Sequence, residues 1–297
     1  MISFLASHQH LSAFLGELAR TVFWLVILTA VFAPLEHFFS VRSAKFFYKG
    51  WVTNLGWYFV GALVPLLLLA PPSALIAAGV HAVLPASITG AAATLPLWAR
   101  MVAAMIVGEI GFYWGHRWSH EIPLLWRFHA IHHSATQMSY LVNTRAHPVD
   151  AVFTRLCGLV LLNATGLVST VGPNPGLVPA LVLAIGTMWS FFIHANLRWR
   201  LGPLEEILST PAFHHWHHTL DDHKDHNYSS MVPVVDRLFG TFYLPKHWPE
   251  EYGTSTQVPD ALTDQLAAPF GPQEKREAIA AGHQVHAGMC ATKEDAA

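Results

Sequence analysis

Histidine clusters are the part of this sequence whose residue types and spacing could support chemistry. Five histidines fall between residues 116 and 133, as H-x-x-x-H followed by H-x-x-H-H. A second H-x-x-H-H follows at His214, His217 and His218. Residues three or four apart share one face of a helix, so each cluster can direct two or three imidazoles at one point. Because imidazole is the commonest protein ligand for transition metals, the spacing predicts a polynuclear metal site.

The composition predicts that the histidines belong to a membrane protein. The chain has 297 residues, of which 53% are hydrophobic and 12% charged, against roughly 25% charged in a typical soluble domain. The net charge of −2 excludes the basic footprint of a nucleic-acid-binding protein. There are two cysteines and no C-x-x-C pair, which excludes a thiolate metal site.

Apolar segments predict the helices that position the clusters. A run of this kind can cross about 30 Å of hydrocarbon when it has about 20 residues. Glycine and proline at 172–176 predict a turn between the last two runs, which we expect to form a tight helical hairpin or re-entrant pair. The predicted segments are 11–35, 52–70 (ending at Pro71-Pro72), 97–114, 156–171 and 176–193.

The distribution of basic residues predicts the orientation of these helices. Arg42, Lys45 and Lys49 follow the first apolar segment, so this loop is expected on the cytoplasmic side. The 73–96 connection has no Lys, Arg, Asp or Glu and is expected outside. The third segment then returns to the cytoplasm at His116, and the hairpin brings His194 to the same side. The sequence therefore predicts a multi-pass membrane protein with its metal site on the cytoplasmic side.

Several further motifs, taken together with the clusters, are highly specific. With them, the chain resembles the fatty acid hydroxylase / sterol desaturase superfamily of integral membrane di-iron oxygenases, over about residues 100–250. The motifs that carry the resemblance are His116-x-x-x-His120, His129-x-x-His132-His133, Asn143-Thr-Arg145-Ala-His147-Pro148, His194-Ala-Asn196, His214-x-x-His217-His218, Asn227-Tyr228 and Asp236-Arg237-Leu-Phe-Gly-Thr241.

The resemblance implies a fold and a division of the chain. The implied fold class is all-α integral membrane, with about four transmembrane helices (two plus a hairpin or re-entrant pair) and a cytosolic helical dome that carries the histidines. The expected domains are N-terminal membrane helices at 1–96, a catalytic domain at 97–250 and a partly disordered tail at 251–297.

The resemblance also implies the metal ligands. The expected set is His116, His120, His129, His132, His133, His147, His194, His214, His217 and His218. His147 has an alternative role as a histidine that fixes its loop or supports a ligand. Each ligand needs a hydrogen-bond partner on its other ring nitrogen. The candidates are Glu109, Asn143, Asp150, Asn196 and Asp236. Glu109 has an alternative as the partner of Arg100 or Arg117. His215 is expected on a helix surface.

The implied chemistry is O2-dependent attack on an unactivated C–H bond of a fatty acyl chain, sterol or related lipid. It requires two iron ions, with O2 as co-substrate, and ends in an alcohol or an alkene. The sequence has no G-x-G-x-x-G fingerprint and no C-x-x-C-H haem attachment, so electrons must come from a partner. A ferredoxin, a b5-type cytochrome or a reductase is the expected donor.

Two other classes of protein stay open on the sequence. A zinc-dependent membrane hydrolase would need fewer histidines and usually an acidic base, as in H-E-x-x-H, which is not found here. A non-catalytic metal-binding or transport protein would place its ionisable residues near the bilayer midplane. The histidines instead cluster at one predicted membrane face. The metal content of the protein discriminates among the three classes.

Overall fold

The structure is a computed structural model that describes residues 2–43, 45–168 and 176–271. Within these ranges the regular elements are helical and no β-strand forms. The predicted turn at 172–176, apart from Gly176, and the tail beyond 271 lie outside the described residues. The ten α-helices are α1 (Ile2–Phe39), α2 (Trp51–Val83), α3 (Ala86–Ala91), α4 (Leu97–Glu121), α5 (Pro123–His133), α6 (Pro148–Ala164), α7 (Leu177–His194), α8 (Pro211–His217), α9 (Val234–Phe239) and α10 (Leu262–Ala267).

Two of the described helices are long and apolar enough to cross a membrane. They are Leu11–Phe39 in α1 and Leu177–His194, which is α7. A third candidate is α2, if its halves Trp51–Val64 and Leu68–Val83, bent by 43°, count as one span. Helix α4 does not meet the same test within the part of the chain that the structure describes. The all-helical expectation is therefore confirmed for these residues, whereas the expected number of spans stays a prediction.

Helix α2 is longer than the sequence indicates. We expected it to end at Pro71-Pro72, but it continues to Val83. The bend lies between Val64 and Leu68, so Pro71 is the fourth residue of the second half and Pro72 the fifth. Proline is tolerated in the first turn, where the backbone N–H of a residue such as Pro71 would have no helical partner.

Close packing of α4 against α6 sets the base of the site. A Cβ on Gly111 would lie 2.5 Å from the carbonyl oxygen of Cys157, and one on Gly115 would lie 3.0 Å from the Cys157 side chain. Only glycine permits this approach. It brings the last two turns of α4, with His116, alongside the start of α6.

The Glu36 carboxylate and a pair of stacked aromatic rings hold α1 against the segments that precede α6 and follow α7. Oε1 of Glu36, near the end of α1, accepts hydrogen bonds from the backbone N–H groups of Tyr140 (2.6 Å) and Asn196 (3.0 Å). Phe32 stacks on Tyr140 with 5.6 Å between ring centroids. These contacts fix α1 to the short 3-10 helix Tyr140–Thr144 and to the segment that follows α7.

Candidate metal centre

Nine of the ten predicted histidine ligands converge on one buried volume. His116 and His120 lie on the last two turns of α4, and α5 contributes His129, His132 and His133. His194 is the last residue of α7. The side chain of His120 is 1% exposed, and the other eight residues are at most 6% exposed. The remaining three of the nine histidines lie on α8 or directly after it, and they are His214, His217 and His218.

The nine imidazoles form two groups. Within each group, one candidate ligand atom from every residue lies within 4.8 Å of all the others. Consecutive histidines of α5 enter different groups, so the two groups are neighbours and share α5. We call them group 1 (His116, His120, His129, His133 and His217) and group 2 (His132, His194, His214 and His218).

Oxygen acceptors orient six of the rings. Four donate Nδ1–H to backbone carbonyls, at distances of 2.6–3.2 Å, and two donate to carboxylates at 3.0 Å. An acceptor of this kind requires the hydrogen on Nδ1 and leaves Nε2 with a free lone pair facing its group. The donor and acceptor pairs are His116 and Tyr228, His132 and Arg145, His194 and Ser190, His217 and His226 for the carbonyls, with His129 and Asp150, His120 and Asp225 for the carboxylates.

The distances between ring nitrogens fit a bound transition metal. Nε2 of His129 lies 3.1 Å from that of His116 and 3.2 Å from that of His133. In group 2, Nε2 of His214 lies 2.9 Å from that of His194 and 3.1 Å from that of His218. Two nitrogens bound at right angles to one ion at about 2.1 Å lie about 3.0 Å apart. Each group therefore has the spacing of one coordination sphere.

Unpaired ring nitrogens point to the same conclusion. Among the described residues, Nε2 of His120 and His217 has no hydrogen-bond partner, although both atoms are buried. A buried polar atom without a partner is costly, and it indicates a group that the side chains are built to bind. Five imidazoles in group 1 exceed the four ligands of a structural zinc site.

Burial keeps these imidazoles in the form that binds metals. It lowers the pKa of His116 to about 3. It also lowers the pKa of His120, His133 and His217 well below the ordinary value of histidine, helped by the neighbouring rings. A ligand imidazole must be neutral, so the rings are prepared for metal binding at neutral pH.

Of the two candidate aspartates, Asp150 hydrogen-bonds a ring of group 1, whereas Asp236 acts through the backbone. Asp150 accepts from His129 through Oδ2 and from Ser119 Oγ (3.1 Å) through Oδ1. Burial alone would raise the pKa of Asp150, but His129, His116 and Ser119 lower it, so the carboxylate stays ionised. Asp236 accepts from the backbone N–H groups of Tyr228 (2.8 Å) and Ser229 (3.0 Å). It thereby fixes the carbonyl that orients His116.

The other three candidates support the site less directly. Asn143 accepts from Ser190 Oγ at 2.5 Å, and the Ser190 carbonyl orients His194. Asn196 binds the backbone of Arg42. Glu109 accepts from Ser230 Oγ (3.0 Å) and from the backbone N–H of Met231 (2.8 Å). Within the described residues none of the three hydrogen-bonds a histidine ring, so each acts on the segments that carry the rings.

His147 departs from the ten-ligand expectation. Its Nε2–H donates to the Leu266 carbonyl at 3.2 Å, and its Nδ1 accepts from the backbone N–H of Val149 at 3.2 Å. Both ring nitrogens are occupied by the protein, and His147 belongs to neither group. It caps the start of α6, which corresponds to the loop-fixing alternative.

The expectation that His215 lies on a helix surface is wrong. The residue is fully buried. Its Nε2–H donates to the Ala195 carbonyl (3.1 Å), and its Nδ1 accepts from the Tyr252 hydroxyl (3.0 Å). Because Ala195 follows His194 and His215 follows His214, this ring ties two segments of group 2 together. Asp225, the acceptor for His120, was not among the candidates, although it lies two residues before the Asn227-Tyr228 motif.

Two cavities border the site and the candidate spans. A polar cavity of about 280 Å³ reaches group 1 at His120 and is lined also by Trp126, Lys224, Asp225, Ser255 and Thr256. An apolar cavity of about 670 Å³ lies between α1 and α7, and Trp199 and Leu201 line one part of it.

A family model matches the part of the chain that carries this site. Residues 101–241 match the model described as fatty acid hydroxylase, and this range contains all nine converging histidines. The resemblance found in the sequence is therefore confirmed. No solved structure gives a significant match to the chain.

Three similar proteins carry names of lipid oxidation enzymes. The chain is 34% identical over 190 residues to ornithine lipid hydroxylase OlsE of Rhizobium tropici, covering 62% of this chain and 54% of that protein. It is 33% identical over 135 residues to alkylglycerol monooxygenase of Danio rerio, covering 45% and 28%. It is 29% identical over 157 residues to methylsterol monooxygenase 2-2 of Arabidopsis thaliana, covering 50% and 55%. The chain thus spans about half, or less, of these relatives.

Proposed function

Because residues 101–241 belong to the fatty acid hydroxylase family, we propose that this chain is an O2-dependent di-iron enzyme of the membrane. Its reaction is the hydroxylation or desaturation of an unactivated C–H bond in a lipid. The observation that carries the proposal is the pair of neighbouring groups of five and four buried imidazoles. Imidazole nitrogens suit iron, and two neighbouring sites suit O2 reduction.

Each group holds one iron ion in this proposal. The nine histidines of groups 1 and 2 are the proposed ligands, and His147 is not among them. When bound, the iron pair supplies the oxidant, formed from O2, that removes hydrogen from the C–H bond. The protein holds six of the nine rings in one tautomer through the oxygen acceptors on Nδ1. Burial favours the neutral form of the rings whose pKa it lowers.

Aromatic side chains cover the parts of group 1 that the polar cavity at His120 does not reach. Trp126 packs on His120 and His133 with 5.1 and 5.6 Å between ring centroids. Tyr228 packs on His120 at 5.1 Å. Exclusion of water from a site that generates a strong oxidant suppresses side reactions.

The proposed substrate is a lipid drawn from the bilayer. The relatives are named for an ornithine lipid, an alkylglycerol and a methylsterol, all of which are lipids. Electrons are proposed to come from a partner such as a ferredoxin, a b5-type cytochrome or a reductase.

We also propose the arrangement in the membrane and along the chain. Residues 1–96 form N-terminal membrane helices, 97–250 the catalytic domain and 251–297 a tail. Helix α4 crosses the bilayer and delivers group 1 to the cytoplasmic side, which the basic residues Arg42, Lys45 and Lys49 support. Modification of Asp222→Cys by a membrane-impermeant maleimide, in inside-out vesicles but not in intact cells, tests this orientation.

The zinc hydrolase alternative has less support. No carboxylate belongs to either group within the described residues, and a hydrolase needs a base beside the metal-bound water. Asp150 and Asp225 are engaged by ring Nδ1–H groups.

Metal analysis and lipid mass spectrometry test the proposal together. Protein made under iron-replete conditions should contain about two irons per chain, one for each group. Membranes from cells with the intact chain should contain a lipid that has gained one oxygen or lost two hydrogens, compared with cells carrying His132→Ala. The product should disappear without O2.

The opposite results would reject it. One stoichiometric zinc with turnover that does not depend on O2 would favour the hydrolase. A product formed equally by the His132→Ala variant would remove that residue from the site. Immunodetection in the membrane fraction should show that the variant is inserted as well as the parent.

A further inference from the structure

Two short segments outside the candidate spans expose large apolar side chains. Leu238 is 72% exposed, and Leu204 and Ile207 are 52% exposed. Val234 and Phe239 are each 38% exposed. Arg237 forms an ion pair with Glu206, so the two segments lie side by side. We call residues 202–207 and 234–239 together the shoulder. A contiguous exposed apolar surface usually marks a binding surface.

The shoulder lies beside α7 and not beyond its end. Trp189 Nε1–H donates to the carbonyl oxygen of Ser209 at 3.1 Å. Trp189 is five residues before His194, or roughly 7 Å below the end of this candidate span. The backbone N–H of Ser209 donates to the Met231 carbonyl at 2.9 Å. Ser209 follows the first segment of the shoulder and Met231 precedes the second. Both are therefore held at the depth of Trp189, which lies inside the bilayer if α7 spans it.

Contacts with α4 give the same depth. The Glu109 carboxylate accepts from the backbone N–H of Met231 at 2.8 Å. Phe239 packs on Tyr113 and Trp114, each with 5.0 Å between ring centroids. Glu109 and Tyr113 are twelve and sixteen residues after Leu97, rises of about 18 and 24 Å, whereas the hydrocarbon layer is about 30 Å thick. An α4 that crosses the bilayer is still inside it where α9 packs.

The surroundings of the shoulder fit lipid. The apolar cavity between α1 and α7 ends at Trp199 and Leu201, directly before Gly202, so the apolar surface of two candidate spans continues onto the shoulder. Arg198 and Arg237 are exposed beside it. Long basic side chains at such a border can reach anionic headgroups while their stems lie on apolar surface.

We propose that the shoulder is embedded in the cytoplasmic leaflet of the bilayer and contacts lipid acyl chains. The histidine-bearing part of the chain is then partly embedded in the bilayer, and the shoulder runs directly into α8, which carries His214. A lipid lying on the shoulder is next to the segment that holds group 2. The proposal rests on α7 spanning the membrane, and on α4 crossing as proposed above, but not on the chemistry of the histidines.

Single-cysteine labelling tests the proposal on the full chain. Cys157→Ala and Cys290→Ala remove the native thiols, and Leu238→Cys or Ile207→Cys introduces one on the shoulder. Asp222→Cys, on the exposed 3-10 helix Asp222–Asp225, is the matched control. Each variant is labelled with an environment-sensitive fluorophore and reconstituted into phosphatidylcholine–phosphatidylglycerol vesicles. Metal content at the level of the parent shows that each variant is folded.

We expect emission at positions 207 and 238 to shift to shorter wavelength and to be quenched by lipids that carry a nitroxide on the acyl chain. The label at position 222 should be quenched by aqueous iodide instead. Iodide quenching at all three positions would overturn the proposal. A shift to shorter wavelength without quenching by the nitroxide lipids would also overturn it, because a protein and not a lipid would then cover the shoulder. Neither result would depend on catalysis.

Discussion

His129 and Asp150 form a buried pair in which Nδ1–H of the ring donates to Oδ2 at 3.0 Å. The opposite nitrogen of the same ring lies in group 1, within 3.2 Å of Nε2 of His116 and His133. The orientation of a ring that contacts two other ligands therefore depends on a carboxylate that does not itself enter the group.

Replacement of this carboxylate should weaken metal binding in group 1. Asp150→Ala leaves the buried Nδ1–H of His129 without its acceptor, and loss of such a partner typically lowers metal affinity by about 10–100-fold. Metal retention during titration with a chelator measures the effect. Asp150→Asn, which can keep an acceptor but loses the charge, should fall between Ala and the parent. Ser119→Ala should retain metal almost fully, and an equal loss there would contradict the pairing.

Loss of one ligand should affect one iron more than the other. His133→Ala removes a ligand from group 1 only, and His218→Ala removes one from group 2 only. We expect iron content to fall from about two towards about one per chain in each variant, because each group provides a separate coordination sphere. Elemental analysis and spectroscopy of the remaining iron measure this.

His147→Ala is the matched control for those two variants. Its ring is occupied by Leu266 and Val149, so the iron content should stay at about two per chain. Loss of iron that equals the loss in His133→Ala would restore His147 to the ligand set.

His215 should be necessary for stability although it is not a proposed ligand. His215→Ala leaves the Ala195 carbonyl and the Tyr252 hydroxyl without a partner in a buried position, at a cost of about 1–3 kcal/mol for each group. Tyr252→Phe removes one hydrogen bond and should cost about 0.5–1.5 kcal/mol. Thermal unfolding in detergent ranks the two variants. A His215→Ala protein as stable as the parent would show that the bridge does not matter.

Glu36 should position the segment after His194. One oxygen, Oε1, accepts from both Tyr140 and Asn196, so Glu36→Gln can keep both hydrogen bonds, whereas Glu36→Ala loses both. We expect group 2 to lose iron in Glu36→Ala and to keep it in Glu36→Gln. Iron content in the His133→Ala background reports on group 2 alone. Equal loss in both variants would instead indicate that the charge of Glu36 matters.

The ring positions were predictable from the sequence because helical spacing is a local property. H-x-x-x-H and H-x-x-H-H place rings on one face wherever the helix lies, and all nine histidines predicted from these clusters and from His194 converge. The division into two groups was not predictable. His132 and His133 are adjacent in sequence, and only the packing of α4, α7 and α8 around α5 assigns them to different groups.

The supporting contacts were predictable where a side chain makes them and not where the backbone does. Asp150 and Asp236 have side chains that can be recognised in the sequence. The carbonyls of Tyr228, Arg145 and His226 carry no such signal, since every residue has one. His215 was misjudged for a related reason, because its burial comes from the segment around Tyr252, which lies far away in the chain.

Helices α5 and α8 each supply rings to both groups, in an interleaved order. His129 and His133 face one group and His132 the other, while His217 faces the first and its neighbours His214 and His218 the second. Loss of α5 or of the segment 214–218 would therefore remove ligands from both groups at once. A one-metal protein is reached by replacing single histidines and not by removing either of these segments.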